Sequence, residues 1–425
     1  MYCEKDSLHS LATELHELTA TLESTLAQND HPRPSLGVDG PSDYPFMDSD
    51  HANFAQMRYD IVDKARKVAS LALGPRESML HLAFSFQDYF CLAVIQRYSL
   101  AKMVPLNTSV EYSNIAEVAS LSERQVRSVM QHAIANGIFC EPAAGYVTHN
   151  ALSKLLLEPG LDSLVGHFVD EAWTAQPSIL EAWKRFPSAS EPRETGFALS
   201  VGDGKSLFDY FASHEASRDR FSLAMSALTT GGGLSPNFVV ENYEWSELPE
   251  GAIIVDVGGA DGTLAVALAN QFHHLNFIVQ DLPGVVHTNT AALPANLQSR
   301  VTLQDHDFFA PQRVQADVYI LRHILHDWPD KYCIIILRHL IAAMKPSSRI
   351  VVCDTVMVEP AETSAEQFWM RSAMNLQMLT MFNAKERTLH EWKSLLEQAD
   401  RRLHIKSVIT PVGSQDSILE IALLQ

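Results

Sequence analysis

No stretch of the 425-residue chain is strongly basic: 32 Lys and Arg stand against 51 Asp and Glu, a formal net charge of −19. A surface that neutralises a phosphate backbone needs clustered cations, so nucleic acid is excluded as a partner. The longest uninterrupted apolar run, Tyr89 to Ile95, is far short of the ~20 residues that span a bilayer. The opening Met-Tyr-Cys-Glu-Lys-Asp lacks the basic start and apolar core of a signal peptide. Both absences predict a soluble, cytoplasmic protein with no membrane partner. Cysteine is sparse and unpaired in pattern: Cys3, Cys91, Cys140, Cys333 and Cys353 are odd in number and widely scattered. No C-x-x-C occurs, which argues against both a disulfide framework and a zinc cluster. What is abundant is ordinary globular material, 46% hydrophobic and 20% charged. Wholesale disorder is excluded, and the length suits two or three domains.

Leu8, Leu11, Leu15, Leu18, Leu22 and Leu26 recur at steps of three and four, which predicts a helix of about twenty residues with one apolar stripe. So narrow a stripe needs a partner surface, and its seam-like spacing favours a second subunit. From Asn29 to about His51, Pro, Gly, Asp and Ser predict a linker. Tyr59 to Leu157 has a helical texture. Within it, Thr108 to Phe139 predicts helix, turn and a second helix opening at Ser122 and capped by Gly137, then a hairpin through Gly145. That is a winged-helix pattern, yet the supposed recognition helix carries only Arg124 and Arg127 beside Glu123, the wrong charge for reading a groove. Residues 1–50 thus form a helix and linker, 51–165 a mainly helical second domain and 166–425 a third.

After helical patterns that include Phe208 to Leu228, buried strands alternate with helices: Ala252 to Val257, Asn276 to Asp281, Ala316 to Leu321, Arg349 to Asp354 and Ile418 to Leu424. This predicts a mostly parallel, doubly wound α/β sheet, a Rossmann-like domain. Ligands of such sheets sit at the strands' carboxyl ends, where glycines let backbone approach them. The first strand there runs into Asp256-Val-Gly258-Gly-Ala260-Asp-Gly262. A G-x-G-x-x-G fingerprint would need glycine at 260 and 263, which hold Ala260 and Thr263. The fit is D-x-G-x-G-x-G with alanine in the middle glycine slot. Nineteen residues past Gly262, Asp281 ends the second strand, where a carboxylate accepts ribose hydroxyls. Nicotinamide enzymes and nucleoside-binding methyltransferases share that acid, and it equally suits a helix cap. Gly204-Lys205-Ser206 resembles the end of a phosphate loop, but the required earlier glycine position holds Leu199.

Leu321-Arg-His323-Ile-Leu-His326-Asp-Trp leaves the strand ending near Leu321, at the same edge as the glycine turn. A histidine there can take a proton near neutral pH. Asp354 closes the next strand and Glu386 sits in Lys385-Glu-Arg-Thr, and carboxylates that flank an imidazole fix its tautomer and support its cation. Taken in order, Val255 to Gly262, Gln280-Asp-Leu-Pro-Gly-Val-Val, Asp307-Phe-Phe, Leu321 to Trp328 and Lys385-Glu-Arg-Thr resemble the S-adenosylmethionine-dependent O-methyltransferases of the plant caffeate and flavonoid type, and more closely their fungal relatives in secondary metabolism. The resemblance covers about residues 55 to 425.

It implies a class I methyltransferase domain preceded by a winged-helix domain that serves homodimerisation. It implies S-adenosyl-L-methionine as cofactor, with Asp256, Gly258 and Gly262 at the methionine moiety, Asp281 and Leu282 at the ribose, and Asp307 and Phe308 flanking adenine. Arg322 stands where the family usually has a lysine near ribose and adenine, and Thr229 matches a hydroxyl near the cofactor carboxylate. His326 falls on the base, with Asp354 and Glu386 on the acids that steady it; Asp354 replaces a longer glutamate. Ala260 departs from the consensus glycine. Phe221, Met225 and Met378 fall on walls that meet the small-molecule acceptor, phenolic or polyketide-derived. His149 lies where relatives that catalyse pericyclic reactions can use an imidazole. No metal is needed for displacement at a sulfonium. The rival expectation is such a pericyclase or dehydratase, binding the cofactor without methyl transfer; members of that group often lose the base histidine, and here His326 is present.

Overall fold

The computed structural model describes residues 7–42, 52–202, 204–285 and 293–424. Cys3, part of the linker toward His51, and Val286 of the Gln280 motif lie outside them. Two compact units emerge. The first takes in the N-terminal helix, Gln56–Thr174 and Phe208–Leu228; the second comprises Ala175–Leu207 and the chain from Thr229 onward. The expected boundary at 165 therefore falls inside the first unit, which also includes a later helical segment.

In the first unit, α1 (Leu8–Gln28) starts where the Ser7 hydroxyl accepts the Ser10 N–H at 3.1 Å, satisfying one orphan donor of the first turn. Leu11, Leu22 and Leu26 are buried and Leu8 is exposed. Then come α2 (Ala52–Phe84), interrupted at Gly74 with φ 74°, and α3 (Phe86–Arg97). Strand β1 (Val110–Glu111) precedes α4 (Tyr112–Ala119) and α5 (Glu123–Ala135); β2 (Cys140–Ala143) and β3 (Tyr146–Thr148) form the hairpin, in sheet order β1-β3-β2. A capping box between Ser122 and Gln125 opens α5, and Gly137 follows its end in the left-handed region, φ 75°. Val126, Met130 and Ala133 of α5 pack with Ile95, Tyr112 and Ile115 in one core. Arg127 is spent on Glu123 at 2.7 Å and lies over the Tyr112 ring.

Apolar character also accumulates where no uninterrupted run marks it. The stretch Phe54–Arg97 contains an 18-residue window of mean hydropathy 1.3, long and apolar enough by length and composition to cross a membrane, with 17% of that window buried. Averaging tolerates single polar residues that end a run. The backbone also turns within this stretch at Gly74, followed by Pro75.

In the second unit the sheet strands are β4 (Ile253–Val257), β5 (Asn276–Asp281), β6 (Val301–Asp305), β7 (Val318–Arg322), β8 (Arg349–Asp354), β9 (Leu403–Ile409) and β10 (Ser417–Leu423). Their order is β9-β10-β8-β7-β4-β5-β6, parallel from β8 to β6, with β10 antiparallel to β8 and β9 antiparallel to β10. Alternate side chains feed two cores. Ile254, Phe277, Val279 and Ile320 pack on one face with Leu264 and Leu268 of α6 (Thr263–Gln271). Val255, Val257, Tyr319 and Leu321 pack on the other with Ile336 and Leu340 of α7 (Asp330–Ala343) and Trp392 and Leu395 of a helix at Leu389–Ala399. A sheet covered on both faces explains the continuous apolar runs of β4, β7 and β8. Strands β6 and β9 were not anticipated.

Candidate active site

The parallel strands end along one edge, and Asp256, Asp281, Arg322 and Asp354, singled out in the sequence, lie at those strand ends. After β4, the chain turns through Gly258 (φ 72°) and Gly262 (φ 78°), left-handed positions that favour glycine. A Cβ on Gly258 would come within 2.5 Å of Ile324 Cδ1, and one on Gly259 within 2.6 Å of Asp256 Cγ. The turn is therefore a closely packed backbone cradle with no room for side chains: the Gly258 and Gly259 N–H groups donate to the Gln280 carbonyl at 2.7 and 3.2 Å and the Gly262 N–H to the Gly259 carbonyl at 2.8 Å, and Gly259, unmarked in the sequence, is part of it. Ala260 holds φ 48° without being glycine; its N–H donates to Asp281 Oδ2 at 2.9 Å. The Leu282 N–H donates to Asp281 Oδ1 at 2.7 Å, so the backbone orients this carboxylate while its remaining lone pairs stay available to hydroxyls. Leu282 is exposed.

Asp256 is buried, and that burial, against the Arg322 charge and helped by Asp281 and Asp261, pushes its carboxyl up to about 7. Asp307 Oδ1 accepts the Phe309 N–H at 2.9 Å, and the Phe308 ring meets Phe309 edge-on at 5.0 Å. Arg322, expected beside ribose and adenine, gives its Nη2 to the carbonyls of Thr229 (2.9 Å) and Leu234, and its Nε is buried without a partner. Its partners in this structure are protein groups. The guanidinium braces the turn that carries Thr229, within electrostatic reach of Asp256.

Beyond β7, a short turn carries His326, 6% exposed. Glu386 Oε1 lies 2.8 Å from His326 Nδ1. An ionised carboxylate only accepts, so Nδ1 bears the proton and Nε2 keeps its lone pair. Burial alone lowers the imidazole; Glu386, then Asp327, overcome it and hold the pair's proton well above the ordinary histidine range. Asp354 acts on the ring through charge rather than a hydrogen bond: it is among the groups that raise His326, its two oxygens are buried without hydrogen-bond partners, and burial raises it to about 8. The shorter arm falls short of the imidazole. The second acid beside the ring is Asp327, with Oδ1 3.6 Å from Nε2, too long for a hydrogen bond. Burial raises Asp327 to about 6.

One residue that sequence reasoning passed over ties the halves of this arrangement together. Arg387 is buried; it donates to the carbonyls of Leu325 (2.8 Å) and Trp328 (2.9 Å) and grips Asp330 at 2.8 Å. It clamps the turn bearing His326 to the segment bearing Glu386, whose own N–H donates to Asn375 Oδ1 at 3.0 Å. Met378 is buried on α8 (Ala365–Phe382) in the same unit. Phe221, in the first unit, packs against His167 at 5.1 Å and Phe211 at 4.9 Å, and Met225 lies one turn further along that helix. His149, also in the first unit, has both ring nitrogens engaged. Nδ1 bonds Ser153 Oγ at 2.9 Å, and Nε2 lies 3.1 and 3.0 Å from the carbonyls of Ala101 and Val104. That is the pattern of a histidine holding its own fold together, not of one presented to a ligand.

Comparison with known proteins gives the family. The family model of the O-methyltransferase domain matches residues 189–401. O-methyltransferase pgmB of Aspergillus terreus is 34% identical, covering 98% of this chain and 96% of that one. Chlorophenol O-methyltransferase of Trichoderma longibrachiatum is 31% identical, covering 96% and 89%. A solved structure of LepI in complex with SAM superposes with a TM-score of 0.75 at 20% identity, covering 96% and 99%, which shows a shared fold. The chain belongs to the O-methyltransferase family.

Proposed function

We propose that this protein is an S-adenosylmethionine-dependent O-methyltransferase that methylates a phenolic hydroxyl of a small molecule, with His326 as the general base. The observation that carries the reading is the buried His326–Glu386 pair, 2.8 Å apart, at the same strand edge as the glycine cradle. The chlorophenol named for one relative supports a phenol as acceptor.

The residues present fit the cofactor: Asp281 is fixed by two backbone donors with lone pairs left for hydroxyls, and Asp256 is buried beside the glycine turn. Asp256, Gly258 and Gly262 would hold its methionine part, with the Thr229 hydroxyl near the carboxylate; Asp281 and Leu282 would hold the ribose, Asp307 and Phe308 the adenine. When bound, S-adenosylmethionine supplies a methyl group activated on a sulfonium. His326 Nε2 takes the acceptor's hydroxyl proton, and Glu386, fixed on Nδ1–H, compensates the positive charge the ring acquires. Met378 offers a polarisable thioether to a flat ring. For assembly, we propose a homodimer through the first unit, supported by exposed Leu80, Leu82, Phe84, Phe86 and Phe90 along α2 and α3.

Incubation with methyl-labelled cofactor and a panel of phenols tests the activity, and His326→Ala should lower transfer by roughly 10²–10⁴-fold with the cofactor still bound. Unimpaired transfer by His326→Ala would remove the base from the mechanism. Retention of the cofactor with no transfer to any acceptor would instead favour the pericyclic reading.

A further inference from the structure

Three residues before the base stands a second imidazole that methyl transfer, as described, does not use. His323 ends the β7 strand with φ 54°, a left-handed conformation that costs an L-residue about 1–2 kcal/mol. Such strain persists where surrounding contacts over-determine it. Here the His323 N–H donates to the Cys353 carbonyl at 3.1 Å, and its Nε2 lies 2.6 Å from Asp416 Oδ2. Asp416 is itself fixed: its N–H donates to Ser414 Oγ at 3.1 Å and Thr355 Oγ1 lies 3.4 Å from Oδ1. It reaches this edge because β10 is antiparallel. Ser417 pairs with Asp354, so the start of β10, rather than its end, meets the carboxyl ends of the parallel strands. Burial alone would raise the Asp416 carboxyl; the His323 imidazole carries it below the usual range, as expected of an anion accepting Nε2–H.

The His323 ring lies against the His326 ring, centroids 5.5 Å apart and planes 27° from parallel. Glu386 constrains the base at one atom, Nδ1, which leaves the ring free to tilt about that hydrogen bond. A near-parallel ring on its face removes the tilt. We propose that His323, anchored by Asp416, is a positioning residue that acts through His326, fixing the direction of its Nε2 lone pair. This rests on the reading of His326 as the base.

Two substitutions separate ring from hydrogen bond. His323→Gln keeps a donor toward Asp416 and loses the ring; His323→Phe keeps the ring and loses the donor, leaving Asp416 buried and unpaired. In the full chain, with methyl-labelled cofactor and a phenol found active in the panel, His323→Gln should lower kcat roughly tenfold with acceptor KM and cofactor Kd within about twofold. His323→Phe should keep kcat closer to that of the unaltered protein even though it melts at lower temperature. A merely structural role predicts the reverse, with kcat following melting temperature across the two variants, and that result overturns the proposal. So does an unchanged kcat in His323→Gln. His326→Ala, assayed alongside, separates the two failures. If it still methylates, the base reading fails and this inference with it; if it is inactive while His323→Gln turns over fully, only the positioning role fails.

Discussion

His326 and Glu386 form one hydrogen-bonded unit, and the carboxylates beside the ring set the pH at which it can act. A base must be unprotonated, and the imidazole here is held well above its ordinary value by the Glu386 and Asp327 carboxylates, against burial. A raised value means the competent form is lost as pH falls through it, so kcat/KM should rise toward alkaline pH along a limb displaced upward from that of free histidine. Glu386→Gln keeps an oxygen able to accept Nδ1–H but removes the charge. Its limb should move toward acid pH while the plateau rate drops, because the imidazolium formed during transfer loses its counter-charge. A pH profile of kcat/KM for both proteins checks this; an unmoved limb would show that Glu386 orients the ring without tuning it. Asp354 makes no hydrogen bond that could replace the one from Glu386, since its oxygens bond no neighbour.

The turn between β4 and α6 shows how one residue out of pattern strains an element. Ala260 occupies φ 48°, where glycine carries no Cβ penalty. Ala260→Gly relieves about 1–2 kcal/mol of conformational energy and returns part of it through a freer unfolded chain, for a net gain of about 0.5–1 kcal/mol. Denaturant unfolding without cofactor measures it, and a loss of stability would show that the Ala260 methyl packs usefully. The same element illustrates what sequence makes legible. Buried strands such as β4 and β8 declare themselves as apolar runs because both faces are covered, and the glycine turn follows from its spacing. Strands β6 and β9 escaped because they are the two edges of the sheet. Thr302, Gln304 and Asp305, like Lys406 and Ser407, face partly outward and break the pattern that covered strands display. In the site, the strand-edge placement flagged the histidine pair with Asp354 and Glu386, and the family resemblance chose His326 as the base; 60 residues separate it from Glu386 and nothing local links them. Arg387 and Asp416 gave no signal: each works through tertiary hydrogen bonds, and a charged residue beside a strand reads as surface until its burial is seen.

At the scale of the whole molecule, the unexplained feature is apolar surface. Leu80, Leu82, Phe84, Phe86 and Phe90 lie exposed within one short stretch of α2 and α3, on a chain whose charge of −19 should keep it dispersed. Large apolar side chains exposed this densely in one segment point to an interface. A bilayer is one candidate, since the Phe54–Arg97 stretch passes on length and composition, but Cys91 and Ile95 at its apolar end are already buried in the core of the first unit. The net negative charge also opposes an anionic membrane surface. A second copy of the chain offers the same patch by two-fold symmetry, apolar against apolar, with no charged group to desolvate among those five side chains. Leu82→Glu with Phe84→Glu places two carboxylates per chain in that interface, four across the symmetric contact. Light scattering coupled to size exclusion should then report the mass of one chain where the unaltered protein reports two. The double variant should also keep its secondary structure, because both side chains already stand in solvent within one chain. A monomeric unaltered protein that floats with vesicles, and loses that ability in the variant, would assign the patch to lipid instead.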